Sequence, residues 1–150
     1  MTAERPTTSR RSLLAMAAVG IPALSVLGAL NPLGASPAAA SPVQVDGWWG
    51  LEVTSAMQRL MTLPQTGIVE NQSVFWKDSN PGLAGGWHWV SKTTATGSST
   101  IAALQRMLKV PDDGLIGPQT ISALQARYHL DVDGFFGAPS PTIVELQKEL

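Results

Sequence analysis

Apolar side chains recur at helical spacing in four short stretches of the chain. Each stretch carries three apolar residues at intervals of three and four: Val53, Met57 and Leu60; Ile101, Leu104 and Leu108; Ile121, Leu124 and Tyr128; Ile143, Leu146 and Leu150. Such intervals place one apolar stripe along a helix. We therefore predict four amphipathic helices, near residues 51–63, 99–109, 118–129 and 141–149. Helices this short are not stable alone, so they must pack on one another.

A turn motif recurs beside these stretches, as VDGWWG from Val45, DDGLIG from Asp112 and DVDGFFG from Asp131. Twelve residues separate Asp113 from Gln125, and eight separate Gln125 from Asp133. The constant spacing indicates a repeated turn–helix unit. Asp-Gly favours a turn because Gly permits positive φ and the Asp side chain accepts backbone N–H groups. We assign a structural turn role to Gly47, Gly50, Gly114, Gly117, Gly134 and Gly137.

Two of the three turns carry paired aromatic residues. Trp48-Trp49 and Phe135-Phe136 occupy the positions that Leu115-Ile116 holds in the remaining copy. Adjacent side chains in a turn seldom point the same way, so we predict that the second aromatic of each pair is buried. The first, Trp48 or Phe135, either packs in the core or presents a face for ligand, since aromatic rings suit both roles.

The segment of residues 68–97 interrupts the repeat. Asn80-Pro81-Gly82 is a turn signal, and Trp87–Val90 alternates as an extended strand would. Interruptions of this length in a small domain are either packed excursions or functional loops. Two readings follow: the segment packs over the helices, or Trp87 and Trp89 form a platform for ligand.

The chain is poor in candidates for catalysis or metal binding. It has no cysteine and only two histidines, His88 and His129, so no zinc-site spacing occurs. The stretch from Asp131 begins like a calcium loop, but the loop positions that need an oxygen ligand, Gly and Glu hold Phe135, Phe136 and Thr142. Every paired acid already belongs to a repeated turn. We predict no enzyme activity, no catalytic residue, no metal and no cofactor.

The first forty residues have the layout of an export signal. Arg10 and Arg11 precede an apolar run that ends in ASPAAA, and adjacent arginines are typical of twin-arginine signals, with the general route as the alternative. Pro22 breaks the apolar run, which argues against a permanent membrane span. We predict cleavage after Ala40. The remaining chain has seven basic and ten acidic residues, a net charge of −3, which does not suit nucleic acid.

The stretch TIAALQRMLKVPDDGLIGPQTISALQARYHLDVDGFFG, closed by TIVELQKEL, resembles the peptidoglycan-binding domain family. These are small three-helix modules whose signature is DGxxGxxT followed by a helix containing LQ. The resemblance covers residues 98–150 closely, and residues 43–72 are similar to half of a further module. It implies a mainly α fold: a small bundle of repeated turn–helix units with one long loop or short extended segment. Residues 41–97 would be a degenerate half-module with the long loop, and 98–150 the complete module.

The resemblance also implies a function. The expected protein is secreted, associated with the bacterial cell wall, and binds peptidoglycan or a related wall glycan through a shallow groove between helices. The candidate ligand-binding residues are Trp48, Phe135, Trp87, Trp89, Asp46 and Asp133. Two alternatives stay open: a secreted interaction module that binds a wall enzyme, and a small wall hydrolase.

Overall fold

Four α-helices follow the four apolar stretches of the sequence. They are α1 (Leu51–Leu60), α2 (Ser99–Leu108), α3 (Pro118–Arg127) and α4 (Pro141–Glu149). They belong to a computed structural model that describes residues 42–150. The predicted export signal, residues 1–40, lies outside the described residues. Each helix begins where the pattern predicts and ends at the predicted residue or slightly before it.

The prediction of a mainly α fold is wrong. Strands β1 (Val69–Ser73) and β2 (Trp87–Val90) form a two-stranded parallel sheet, and a single 3-10 turn, Val74–Trp76, follows β1. Over residues 42–150 the structure is 39% helical and therefore mixed α/β. The difference from the prediction begins after Val69. This residue occupies the second apolar position of a turn, but Glu70 follows it where the other copies have glycine, and no helix begins there. The chain stays extended there, and β2 pairs with it.

The register of the sheet is irregular. Val69 pairs with Trp87, Gln72 with Trp89 and Ser73 with Val90, with a shift between the first two pairs. Asn71 lies at this shift and has a left-handed backbone, with φ of 52°. The alternation of Trp87–Val90 predicted β2 correctly.

Every unit of the repeat contributes side chains to one hydrophobic core. The second apolar residue of each turn is buried, as are the first two stripe residues of each helix. The third stripe residue of each helix is partly buried: Leu60, Leu108, Tyr128 and Leu150. The Trp49 ring packs edge-on against Trp87, with centroids 5.4 Å apart, and lies 6.0 Å from the Phe136 ring. Both segments predicted from the sequence, 41–97 and 98–150, thus contribute to the same interior. Val43–Leu150 forms one compact unit.

A buried glutamine holds each Asp-Gly turn, an arrangement we call the glutamine lock. In α2, Gln105 accepts a bond from Gly114 N at 2.7 Å and donates through Nε2 to Asp113 Oδ1 at 2.7 Å and Leu115 O at 3.1 Å. In α3, Gln125 repeats these contacts with the turn of residues 133–135. Each amide thereby pairs the glycine N–H and a carbonyl of the turn, and it also binds the aspartate Oδ1, which accepts a backbone N–H of the same turn.

Two further locks close the repeat into a cycle. Gln147 of α4 donates to Asp46 Oδ1 at 2.8 Å and Trp48 O at 3.0 Å, and accepts from Gly47 N at 2.8 Å. The last helix therefore holds the first turn. Gln58 of α1 makes the equivalent contacts with Thr66, Gly67 and Ile68, so Thr66 replaces the aspartate in this copy.

The interrupting segment packs at the centre of the four turns. The second apolar residue of each turn donates its backbone N–H to this segment, at 2.7–2.9 Å: Trp49 to Gly82 O, Val69 to Gly86 O, Ile116 to Gln72 Oε1 and Phe136 to Asn80 Oδ1. Gln72 and Asn80 are buried. Of the two readings, the packed excursion is the one the structure adopts, and residues 72–86 are referred to below as the central segment.

Candidate functional site

Trp48 is the exposed aromatic residue of the first turn. Its side chain is 41% exposed, whereas that of Trp49 is fully buried and donates from Nε1 to Thr54 Oγ1 at 3.0 Å. The backbone of Trp48 is hydrogen-bonded on both sides of the residue. Asp46 Oδ1 accepts the Trp48 backbone N–H at 2.9 Å, and Gln147 Nε2 binds its carbonyl. The turn therefore presents the Trp48 ring on a rigid backbone.

A surface pocket of about 260 Å³ lies beside this ring. Its apolar lining comes from Trp48, Leu51, Val43 and Ala84, and its polar lining includes Asp46, Glu52, Gln44 and Gln147. The volume lies slightly below the range of roughly 300–1,000 Å³ that is usual for small-molecule sites. A pocket of this size takes one ring-sized group of a larger molecule.

The pocket carries negative charge. Hydrogen bonds from the Gln147 side chain and the Trp48 backbone hold the pKa of Asp46 below its usual value. Glu52, in the first turn of α1, supplies a second carboxylate. None of the lining residues is basic.

Phe135 occupies the matching position on the fourth turn and is also 41% exposed. Asp133 sits beside it, with its pKa lowered by hydrogen bonds from the Gln125 side chain and the Phe135 backbone. The two aromatic turns are neighbours, since Gly82 accepts from Trp49 N at 2.9 Å and donates to Phe136 O at 3.2 Å. Phe135 and Asp133 do not line the Trp48 pocket.

The other two candidate tryptophans lie away from this pocket. Trp87 is 8% exposed and donates from Nε1 to Trp49 O at 3.0 Å. Trp89 is half-buried and stacks on Trp87, with ring centroids 5.6 Å apart. The structure thus brings Trp48 and Asp46 together and leaves Trp87 and Trp89 as neighbours in and beside the core.

Five of the six predicted turn glycines fall into two groups, whereas Gly137 has no positive φ and does not stand directly before α4, which Ser140 caps. Gly47, Gly114 and Gly134 have positive φ, between 74° and 79°. Gly50 and Gly117 are extended and stand directly before α1 and α3. Only the first glycine of each copy therefore needs the left-handed conformation.

Of the residues that line the pocket, the sequence predicted Trp48 and Asp46 as ligand contacts and Gly50 as a turn residue. It did not predict the other seven: Val43, Gln44, Leu51, Glu52, Val53, Ala84 and Gln147. The sequence does contain a signal for Gln147. The first turn has no helix with an LQ pair before it, and α4 has an LQ pair but no turn after it. Pairing the unmatched helix with the unmatched turn would have predicted the contact. Leu51 and Glu52 carry no such signal, because position alone brings them to the pocket.

Residues 42–150 contain no group of three or more His, Cys, Asp or Glu side chains placed to hold a metal ion. In the same range, no helix has the length and apolar character needed to cross a membrane. Comparisons with protein-family models, with curated proteins and with solved structures find no match. The likeness to peptidoglycan-binding domains therefore stays a prediction, and a function has to be argued from the site.

Proposed function

We propose that this protein is exported and binds bacterial cell-wall peptidoglycan, without catalysis, at the pocket beside Trp48. The observation that supports the proposal is the exposed indole of Trp48, carried by a hydrogen-bonded turn, at a pocket lined with carboxylate and amide groups. An indole face packs against the apolar face of a sugar ring, and carboxylates and amides bond to its hydroxyl and amide groups.

The packing of the turn supports a binding role for Trp48. A large apolar ring that is 41% exposed gains little for folding compared with a buried one. The fold does not require an aromatic residue at this position, because the third turn carries Leu115 there. Trp48 thus has little structural reason to be a tryptophan, whereas glycan stacking requires an aromatic face.

The first experiment is co-sedimentation of residues 41–150 with purified sacculi. Wild-type protein is expected in the pellet, and Trp48→Ala should bind about tenfold more weakly, the loss of one stacking contact. Phe75→Ala is the matched control, since Phe75 is 59% exposed and lies outside the pocket. Both variants should melt like the wild type. Wild-type protein that stays in the supernatant contradicts wall binding, and clearing in a zymogram contradicts a non-catalytic role.

An interaction module for a secreted wall enzyme is the second candidate function. Val74 and Phe75 are adjacent, exposed and apolar, and the Lys92 ammonium lies 5.1 Å from the centre of the Phe75 ring. Val74 and Phe75 do not line the Trp48 pocket. A pull-down from secreted proteins in which Phe75→Ala loses a partner that Trp48→Ala retains would favour this second function.

A further inference from the structure

The Trp48 pocket has an unbalanced charge. Asp46 and Glu52 both line it, and none of its lining residues is a lysine, arginine or histidine. Glu52 makes no hydrogen bond or ion pair with another residue of the described range 42–150. Asp46 uses Oδ1 for both of its internal bonds, to Gln147 and to Trp48 N, which leaves Oδ2 as a further acceptor.

The N-terminus of α1 opposes this negative charge only in part. Gly50 caps the helix without a side-chain bond, and it lines the pocket together with Leu51, Glu52 and Val53 of the first turn of α1. A helix N-terminus is equivalent to about half a positive charge. Two carboxylates outweigh it, and the net field in the pocket favours a cation over an anion.

The exposed indole favours the same kind of group. The face of a tryptophan ring attracts ammonium groups through its quadrupole, more strongly than tyrosine or phenylalanine does. An ammonium beside Trp48 can also donate three hydrogen bonds, and the Glu52 carboxylate, Asp46 Oδ2 and the Gln44 amide oxygen are available to accept them. Ring and carboxylates therefore recognise one chemical group together.

We propose that the pocket formed by Trp48, Asp46 and Glu52 binds a primary ammonium group of the wall polymer. This inference rests on the proposed wall-binding function and specifies its chemistry. In such a polymer a primary ammonium has two sources: an amino sugar that lacks its acetyl group, and the side chain of a diamino acid in the peptide. The pocket binds the ammonium group that both sources share. Acetylation removes the charge of this group and two of its three N–H donors.

Two matched probe pairs distinguish the sources. The glycan pair is a glucosamine trimer and an N-acetylglucosamine trimer. The peptide pair is Nα-acetyl-lysine amide and its Nε-acetylated form. Each probe is titrated into residues 41–150 by calorimetry, with wild type, Glu52→Gln and Asp46→Asn. Asn keeps an Oδ1 for the turn bonds, so the second variant removes the charge and retains the turn. Glu70→Gln is the control, since Glu70 is exposed and lies outside the pocket.

At least one free-amine probe is expected to bind on the order of tenfold more tightly than its acetylated partner, which combines two exposed ion pairs and one cation–π contact. The pair that shows the preference identifies the source. Glu52→Gln and Asp46→Asn should each reduce the preference for the free amine, and Glu70→Gln should not. Added salt should also reduce this preference, because charges are screened over about 10 Å at 0.1 M.

Equal binding of free and acetylated probes in both pairs would overturn the ammonium assignment, and so would the absence of binding by both free-amine probes. Neither result bears on the wall proposal, which sacculus binding tests separately. Sacculi bound by the wild type but unaffected by salt or by Glu52→Gln would leave the wall proposal standing and refute the ammonium site.

Discussion

Gly114 shows what a single turn residue contributes to this fold. Its φ is +74°, and a Cβ placed there would lie 2.9 Å from Ser98 O and 3.0 Å from Ser98 N. We expect Gly114→Ala to lower the free energy of unfolding by on the order of 1–3 kcal/mol. Gly85→Ala is the matched control, because a Cβ at Gly85 meets nothing within 4 Å. Urea unfolding of both variants measures the difference, and equal stabilities would refute the turn geometry.

The glutamine lock predicts a pH dependence of stability. Gln125 and the Phe135 backbone lower the folded-state pKa of Asp133, so ionised Asp133 stabilises the fold. That contribution is fully present above the ordinary aspartate pKa of about 3.9 and is lost as the pH falls through the lowered value. Gln125→Met removes the lock and leaves the buried Gly134 N–H unpaired, which costs about 1–3 kcal/mol at neutral pH.

The stability difference between wild type and Gln125→Met should therefore shrink as the solution is acidified below the ordinary carboxyl range. Denaturant unfolding at a series of pH values measures it, and the Asp133 carboxyl signal in NMR reports the pKa directly. The lock account fails if Asp133 titrates at the same pH in both proteins.

Among the elements, the central segment has the structural role that the sequence predicted least, which is to bind the backbone of the turns. Asn80 is 1% exposed, accepts from Phe136 N at 2.8 Å and donates to Trp76 O at 2.7 Å. Asn80→Ala leaves two backbone groups unpaired, and we expect a loss of about 2–4 kcal/mol. Ser79→Ala, at an exposed neighbouring position, should change stability by less than about 0.5 kcal/mol. Thermal melts compare the two. Similar melting temperatures would mean that the segment is a loosely attached loop.

The helices could be predicted from the sequence, and the sheet only in part. Apolar spacing and turn chemistry act locally, so α1 to α4 begin where the pattern places them. Strand β2 alternates visibly, whereas β1 reads VENQS and has no apolar alternation. Gln72 of this strand is explained by distant partners, since it accepts from Ile116 N and donates to Gly114 O. A strand that is stabilised by contacts more than forty residues away leaves no local signal.

The pocket was predictable to a similar extent. Trp48 and Asp46 lie in a turn whose geometry follows from its sequence, so the burial of Trp49 was predicted, while the sequence left open whether Trp48 is buried or exposed. Glu52 and Leu51 reach the pocket through the direction of α1, and Gln147 through the cyclic arrangement of the units. The sequence left two interpretations of Trp87 open, packing over the helices or a platform for ligand, because a large apolar side chain is seldom left in water without a function. The core supplies that function, as the ring packs against Trp49 and its N–H is bonded there.

For the whole molecule, closure of the cycle predicts a single cooperative unit. Residues 98–150 contain three helices, yet Ile116 N and Phe136 N depend on Gln72 and Asn80. We expect the 41–150 chain to unfold in one transition, with circular dichroism and tryptophan fluorescence coincident. The isolated 98–150 fragment should lack a cooperative melt. A fragment that melts at the temperature of the longer chain would show that the three-helix part folds independently.

The most direct test of wall binding at Trp48 is to follow the indole N–H signals of the five tryptophans by NMR while soluble peptidoglycan fragments are added. The indole N–H groups of Trp49 and Trp87 are bonded inside the core, to Thr54 Oγ1 and Trp49 O, and serve as internal controls. We expect the Trp48 signal to shift with saturation while the Trp49 and Trp87 signals stay in place. An unmoved Trp48 signal at fragment concentrations that match saturating sacculi, or shifts confined to Trp76 and Trp89, would contradict the proposed site.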